Sequence, residues 1–171
     1  TLCETSTGVT PDIQAIGKAV KSSNAVLVVD AVSGLGVVDL KMDDWHVDAV
    51  ASASHKGFML PPGVAFVSLS PKAIKLMEQS TAPKFYFDLR KYRKVADKPD
   101  TPFTPAIGVV IALTESLKMM KETGLENLFR HFERLAMGTR AGVEGMGLRI
   151  FTHESARSNV LTAVLMPDNI D

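Results

Sequence analysis

The sequence contains very little cysteine and carries no net charge, and both facts limit the classes of protein to which the chain can belong. Cys3 is the only cysteine in 171 residues, which excludes an internal disulfide and a metal cluster built from cysteines. Nineteen basic and nineteen acidic side chains give a formal charge of zero, so no electrostatic feature favours a nucleic acid or an anionic membrane as partner. We therefore expect a reducing compartment, with the cytoplasm as the default location.

The sequence also lacks long apolar runs, repeats and low-complexity tracts. No run approaches the roughly 20 residues that a membrane helix needs, and no signal peptide opens the chain. The apolar share of 46% and the charged share of 22% are those of an ordinary globular protein of about one domain, or one domain and a piece of another. Because the chain has no initiator methionine and stops at Asp171 just after a strand-like run, we expect a fragment or a processed piece.

The first half of the sequence shows the helix and strand pattern of an α/β fold. A helix is expected to begin at residues 10–12, where Thr-Pro-Asp precedes apolar residues at helical spacing. The run NAVLVVD (24–30) is continuously apolar and ends in an acid, which is typical of a strand buried on both faces of a parallel sheet. Residues 47–53 and 63–70 predict two more strands, and Pro71 begins another helix. The alternation of helices with strands predicts an α/β domain.

The second half of the sequence is expected to be mainly helical and to begin a second domain. Residues 81–105 are rich in proline, lysine and aromatics, and we interpret them as a loop with one short element near FYFDL. A long amphipathic helix is predicted over 107–123, ended by a glycine, and another over 125–146. The runs LRIFT (148–152) and NVLTAVLM (159–166) are predicted to pair as strands. This order indicates that an α+β domain begins after the first of these two helices.

An acid and a lysine follow neighbouring strands of the predicted sheet. Asp30 ends the first strand, and Lys56 follows the second within the largely apolar stretch SASHKGFML. Ligands gather at the carboxyl ends of strands in open α/β sheets, so both groups would emerge at one edge if the strands are parallel neighbours. Pyridoxal phosphate needs such a pair: a lysine to form a Schiff base, and a carboxylate to keep the ring nitrogen protonated. Taken alone, Asp30 is equally consistent with a turn acid or helix cap, and Lys56 with a turn lysine that points into water.

Several motifs resemble those of one family of pyridoxal-phosphate enzymes. The main ones are ETSTGV (4–9), VVDAVSGLG (28–36), DDWHVD (43–48) and SASHKGFMLPPGVAFVS (52–68). At this order and spacing they resemble the class V aminotransferases, in particular the alanine–glyoxylate and serine–glyoxylate aminotransferases. The likeness continues through YFD (86–88), TPFTPA (101–106), ESL (115–117) and GLEN (124–127).

The resemblance implies a fold and a division of the chain. The fold is the α/β type I pyridoxal-phosphate fold, with a mainly parallel sheet and flanking helices. Residues 1–123 would be part of the large, cofactor-binding domain, and residues 124–171 the start of an α+β C-terminal small domain. The resemblance also implies a homodimer.

The resemblance assigns roles to particular residues. Lys56 resembles the Schiff-base lysine. In the family, the substrate releases this lysine from the cofactor, and the free amine then moves the proton between the substrate carbon and the cofactor. Burial beside the cationic ring would lower the pKa of the lysine. Asp30 resembles the carboxylate paired with the pyridine nitrogen, and Val32 the residue that packs on the ring face. Thr5 occupies the hydroxyl position near the ring oxygen, where the alternative is a cap of the following turn. Thr104 matches the position that reaches the cofactor phosphate of the neighbouring subunit, and is otherwise a routine turn residue.

His55 is a departure from the family pattern. The family usually has a glutamine before the lysine, where it bonds the phosphate. A histidine can also donate to phosphate and can carry charge there, so we assign His55 to phosphate binding. The alternative is a packed or solvent-facing histidine. No metal is expected.

The resemblance places several parts of the site outside this chain. The glycine- and serine-bearing phosphate cradle at a helix N-terminus and the aromatic that stacks on the ring lie upstream of Thr1 in the family. The arginine that grips the substrate carboxylate lies beyond Asp171. The isolated 171-residue chain is therefore expected to show no measurable transamination.

The leading hypothesis is a pyridoxal-phosphate aminotransferase that moves an amino group from serine or alanine to glyoxylate. A cysteine desulfurase or another lyase of the same fold would share the lysine and the aspartate. An inactive truncated chain with a structural or dimerisation role is a further alternative. A dinucleotide site at GLG (34–36) fails because the third spaced glycine and the helix start are absent. Some relatives are called soluble hydrogenase subunits, but one cysteine supplies no ligand set for nickel or iron–sulfur centres.

Overall fold

The helices and strands follow the predicted order around a small sheet. The computed structural model describes residues 1–168 and 170. In chain order the regular elements are α1 (Ile13–Val20), β1 (Val28–Asp30), β2 (Ala49–Ala53), β3 (Ala65–Leu69), α2 (Pro71–Gln79), α3 (Leu89–Val95), α4 (Ile107–Thr123), α5 (Leu125–Gly145) and a short 3₁₀ helix (Glu154–Ala156). The two long helices match their predicted ranges almost to the residue, whereas each strand is shorter than the apolar run that predicted it. Within this described part of the chain, no helix is long and apolar enough to cross a membrane.

The sheet has three strands in the order β1-β2-β3, and it is mixed. β1 and β2 are parallel, as expected, with α1 preceding them. β3 runs antiparallel to β2, because the link at residues 54–64 contains no helix that could carry the chain back to the first edge of the sheet. The α/β class with flanking helices is confirmed, and the parallel part of the described sheet is the β1–β2 pair.

One face of β1 is covered and the other is open. Val29 is 1% exposed and packs with Ile13 of α1 and Val50 of β2 in the main apolar core. Val28 is 65% exposed, and Asp30 is exposed as well. The expectation of a strand buried on both faces is therefore wrong for this part of the chain, because α1 and the core residues cover only the side on which Val29 lies.

The helix ends are explained by ordinary capping chemistry. Asp12 precedes α1 and accepts a hydrogen bond from the Ala15 N–H at 2.8 Å, as an N-cap acid should. Ser70 caps α2 in the same way, with Pro71 in the first turn of the helix. Gly124 ends α4 with φ at +79°, a conformation that glycine adopts without steric cost.

Residues 81–105 contain one helix, close to the place where the sequence predicted one short element. α3 begins after Asp88, whose carboxylate accepts two hydrogen bonds from the Arg90 guanidinium, each at 2.8 Å. These bonds lower the pKa of Asp88 to about 2. The expected element near FYFDL is therefore a helix that begins at the last residue of this motif, Leu89, and its cap at Asp88 explains why it forms in an otherwise irregular segment.

The predicted pairing near the C-terminus is present only in part. Ile150 and Val164 form an antiparallel bridge, and the Phe151 N–H donates to the Ala163 carbonyl at 2.8 Å. These contacts do not extend into regular strands in the described residues. The prediction of two paired strands is therefore wrong in extent, although the two segments do lie side by side.

Asp48 ties the start of the sheet to α2. Its Oδ2 accepts the Leu27 N–H at 3.0 Å, and its Oδ1 accepts the Ser70 hydroxyl at 2.8 Å. The Lys72 ammonium lies 3.7 Å from Oδ2. Burial alone would raise the pKa of Asp48, but these hydrogen bonds and the lysine outweigh it and lower the pKa.

We expect Asp48→Ala to destabilise the complete protein by about 2–4 kcal/mol at neutral pH, because two donors lose a charged acceptor in a buried place. The lowered pKa means that this stabilisation is present above the unfolded pKa of about 3.9 and is lost as pH falls through the folded pKa. Urea unfolding of wild type and variant should therefore give free energies of unfolding whose difference narrows as the pH falls below about 3.9. Asp39→Ala, which removes only an exposed pair with Lys41 at 3.6 Å, is the matched control. Equal losses in the two variants would contradict the assigned role of Asp48.

Candidate active site

The carboxyl ends of β1 and β2 lie side by side. Asp30, the last residue of β1, pairs in register with Ala51 of β2. One residue later, the Ala31 N–H donates to the Ala51 carbonyl at 2.8 Å, and the Ser52 hydroxyl donates to the Ala31 carbonyl at 3.2 Å. The segments that follow the two strands therefore leave the sheet at the same edge.

The Asp30 carboxylate is exposed at this edge and is oriented by the backbone. Its Oδ1 accepts the Val32 N–H at 2.9 Å, a local turn in which an acid bonds the amide two residues ahead. The Asp30 carbonyl accepts the Leu2 N–H at 2.7 Å, which fixes the strand end itself. Within residues 1–168 and 170, Oδ2 accepts no hydrogen bond. One carboxylate oxygen is thus held by the chain, and the other is open to a donor from a ligand.

Lys56 lies in a tight loop that Ser54 closes. Ser54 is fully buried, at 0% exposure, and its hydroxyl donates to the Pro61 carbonyl at 2.7 Å. Its carbonyl accepts the Leu60 N–H at 3.2 Å, and the Lys56 carbonyl accepts the Met59 N–H at 2.8 Å. These bonds join the two ends of the loop, so the exposed Lys56 side chain projects from a well-fixed backbone.

The Lys56 loop packs closely against the loop that follows β1. Gly57 is buried, and a Cβ atom at this position would lie 2.3 Å from the Leu35 carbonyl oxygen, so only glycine fits. From the other side, the Ser116 hydroxyl of α4 donates to the Phe58 carbonyl at 2.6 Å. Gly36 has φ at +89° and lies against the backbone of Gly57. Gly36 of the GLG stretch therefore serves the packing of these two loops, whereas Gly34 makes room for the side chain of Leu2.

Thr5 lies in a tight turn, residues 4–9, beside the end of β1. The Glu4 N–H donates to the Val9 carbonyl at 2.8 Å, which closes the turn. The Thr5 hydroxyl lies 2.8 Å from the hydroxyl of Ser33, three residues after Asp30. The turn therefore presents the Thr5 hydroxyl at the edge where Asp30 lies.

Cys3 is buried just before this turn. Burial raises the pKa of the Cys3 thiol, while the hydrogen bond with Ser158 and the positive charge of Lys56 act in the opposite direction.

The structure brings four of the six predicted residues to one edge of the sheet: Thr5, Asp30, Val32 and Lys56. His55 precedes Lys56 and is exposed, so its side chain is accessible to a ligand. Thr104 is exposed in the segment before α4, and among the described residues its side chain makes no hydrogen bond to this group. Its assigned role in a neighbouring subunit stays a prediction.

The exposure of Lys56 differs from its expected setting. The resemblance implied a Lys56 buried beside the cofactor ring, and the residues alone left a lysine that points into water as the alternative. The side chain is exposed in this chain, and so is Asp30. Its apolar neighbour Phe58 turns away from it and packs inward on Phe66, with ring centroids 4.8 Å apart. The exposure of Lys56 in this chain agrees with the alternative of a lysine that points into water.

Two serines that sequence reasoning missed help to build the site. Ser54 closes the Lys56 loop, and Ser33 holds the hydroxyl of Thr5. Ser54 directly follows the apolar strand β2, and a polar residue at such a place can signal a buried hydrogen bond. Nothing in the local sequence of Ser33 identifies its partner, which is 28 positions away.

The groups at this edge fit pyridoxal phosphate by their chemistry. An open carboxylate oxygen on Asp30 can accept a hydrogen bond from a protonated pyridine nitrogen. An accessible amine on Lys56 can bond to the cofactor aldehyde, and the Thr5 hydroxyl can bond to a ring oxygen. Val32 is half-buried beside Asp30, where an apolar side chain can contact a ring.

An α/β sheet with an acid and a lysine at the carboxyl ends of adjacent strands defines a class of cofactor-dependent enzymes. A sequence model of the family Aminotransferase class-V matches residues 1–167. The chain therefore belongs to the class V aminotransferase family, as its motifs indicated. Membership implies pyridoxal phosphate as the cofactor.

Similar proteins carry more than one name. The chain is 48% identical to a soluble hydrogenase small subunit of Synechococcus sp., over 94% of this chain and 42% of that protein. It is 38% identical to an L-aspartate–glyoxylate aminotransferase of Paracoccus denitrificans, over 98% of this chain and 43% of that protein. The solved alanine–glyoxylate aminotransferase of Nostoc sp. superimposes with a TM-score of 0.94 at 28% identity, covering 99% of this chain and 46% of that one. The chain thus spans less than half the length of these relatives.

Proposed function

We propose that the complete protein is a pyridoxal-phosphate-dependent aminotransferase that transfers an amino group from serine or alanine to glyoxylate. The observation that carries this proposal is the placement of Asp30 and Lys56 after adjacent parallel strands, with one Asp30 carboxylate oxygen open. The names of two similar proteins, which both use glyoxylate, support the acceptor. This chain would be the central part of such an enzyme.

Some residues of the site would hold the cofactor, and another would move a proton. When bound, pyridoxal phosphate supplies an electron sink for the pair released from the substrate carbon. Asp30 Oδ2 would hold a proton at the pyridine nitrogen, while the Val32 N–H keeps Oδ1 and thus the carboxylate in place. Lys56 Nζ would carry the proton to and from the substrate carbon, on a loop that Ser54 keeps fixed.

The remaining assignments concern the phosphate and the assembly. His55, exposed beside Lys56, would donate to the cofactor phosphate. Thr104 would reach the phosphate of a partner subunit, which makes a homodimer part of the proposal, together with cytoplasmic location. Residues 1–123 would belong to the large domain and residues 124–171 to the start of the small domain.

The substrates can be tested with the purified complete protein, pyridoxal phosphate and glyoxylate. Alanine or serine should give glycine at a rate well above that of the free cofactor, and faster than aspartate does. Faster glycine formation from aspartate would contradict the assigned donor class. Release of sulfide from cysteine without glycine formation from any of the donors would instead identify a desulfurase of the same fold.

A further inference from the structure

The turn that carries Thr5 is held by a segment from near the other end of the chain. We call residues 152–158 the clamp segment. The Thr152 hydroxyl donates to the Thr7 carbonyl, and the Ser158 N–H donates to the Gly8 carbonyl at 2.8 Å. Both acceptors lie within the 4–9 turn, so the clamp segment bonds the backbone that leads directly from Thr5.

The contacts between the clamp segment and the turn are buried. Thr152 is 5% exposed and Ser158 is 1% exposed. The Ser158 hydroxyl lies 3.1 Å from the Cys3 sulfur, just before the turn begins. At Gly8, which has φ at +70°, a Cβ atom would lie 3.1 Å from the Thr152 hydroxyl oxygen. Buried polar groups that lose their partner are costly, so these bonds hold the turn in one position.

The clamp segment is in turn fastened to α5. The Arg140 guanidinium donates to the Ser158 carbonyl and, at 3.0 Å, to Oδ1 of Asn159. The Arg157 side chain donates to the Thr152 carbonyl at 3.2 Å and lies 3.5 Å from the Glu144 carboxylate. The clamp segment therefore has a fixed support of its own on the side away from the turn.

We infer that Thr152 and Ser158 are positioning residues that set the place of the Thr5 hydroxyl at the cofactor edge. The side chain of Thr5 is exposed and bonds Ser33, and the backbone of its turn is held on the far side by the clamp segment. Loosening the clamp would let the turn move and would weaken the contact of Thr5 with a bound ligand. This inference rests on the proposed function, in which Thr5 faces the cofactor.

The test uses cofactor affinity of the complete protein, measured by titrating the cofactor-free form with pyridoxal phosphate and following absorbance. Thr152→Val, which keeps the shape and removes the donor, should raise the dissociation constant about 3- to 10-fold. Thr152→Ser, which restores a hydroxyl, should return it toward the wild-type value. In a Thr5→Val background, adding Thr152→Val should cause little further loss, because the clamp acts through Thr5. Thr139→Val is the matched control, since this hydroxyl donates to the Leu135 carbonyl at 2.9 Å within α5.

Two outcomes separate this inference from the proposed function. The inference is overturned, while the proposed function stands, if wild type binds the cofactor and Thr152→Val binds it equally well. It is also overturned if Thr152→Val weakens cofactor binding as much in the Thr5→Val background as in the wild-type protein. If wild type binds no pyridoxal phosphate, the proposed function fails first. Should Thr152→Val not fold, Arg140→Met, which removes the guanidinium that holds the Ser158 carbonyl, is measured in the same way and is expected to weaken binding through Thr5. Unchanged affinity or additive losses would overturn the inference.

Discussion

Lys56→Ala in the complete protein is expected to abolish transamination while leaving the protein folded. The side chain is exposed and its loop is closed by Ser54, so its removal opens no cavity in the core. The proposed roles of the amine, in attaching the cofactor and in moving the substrate proton, have no substitute at this edge among the described site residues. General acid–base catalysis alone contributes about 10²- to 10⁴-fold, so the rate should fall by at least that factor.

The control for this prediction is Lys41→Ala. Lys41 is also an exposed lysine, and its only ion pair among the described residues is with Asp39. It should keep wild-type activity. Small primary amines added to Lys56→Ala should restore part of the lost rate, since they can occupy the space of the missing side chain and accept the proton. A Lys56→Ala protein with activity within about twofold of wild type would rule out the assigned proton transfer.

Asp30→Asn is expected to lower the rate of transamination more than it lowers cofactor binding. The amide can keep the bond from the Val32 N–H, so the strand end should stay in place. A neutral partner no longer holds the proton at the pyridine nitrogen, and the electron sink is weakened. Hydrogen bonds to charged groups are worth about 1.5–3 kcal/mol, which corresponds to about 10- to 100-fold in rate if the effect is confined to the transition state.

The comparison for Asp30→Asn is Asp39→Asn, an exposed acid outside the site. Turnover and the dissociation constant of pyridoxal phosphate should be measured for both variants. Wild-type turnover of Asp30→Asn, combined with weaker cofactor binding, would show that Asp30 only holds the cofactor and does not tune its chemistry.

The position of Asp30 and Lys56 could be predicted from the sequence because each follows an apolar run that forms a strand. Parallel pairing then brings the strand ends to one edge, whatever the rest of the fold does. The antiparallel direction of β3 was also readable in principle, since the link that precedes it has no helical pattern. The antiparallel direction of β3 is established by its register with β2, in which Ala53 pairs with Ala65.

The contacts that hold the site could not be predicted in this way. Thr152 and Thr7 are 145 positions apart, and Cys3 and Ser158 are 155 positions apart. Local pattern carries no information on such partners, because a buried serine and a surface serine look alike in sequence. The exposure of Lys56 was left open for a related reason: apolar neighbours indicate that a loop packs, but not which of its side chains points outward.

Borohydride reduction of the complete protein with bound pyridoxal phosphate, followed by peptide mapping, tests the central claim most directly. Reduction fixes the cofactor to the amine that holds it, and digestion then identifies that residue by mass. We expect the pyridoxyl group on Lys56, within the peptide that contains SASHKGFML. Lys72, which donates to the Ala25 carbonyl and pairs with Asp48 far from this edge, should remain unlabelled. A label on Lys72 or on any other lysine, with Lys56 unmodified, would contradict the assignment of this site.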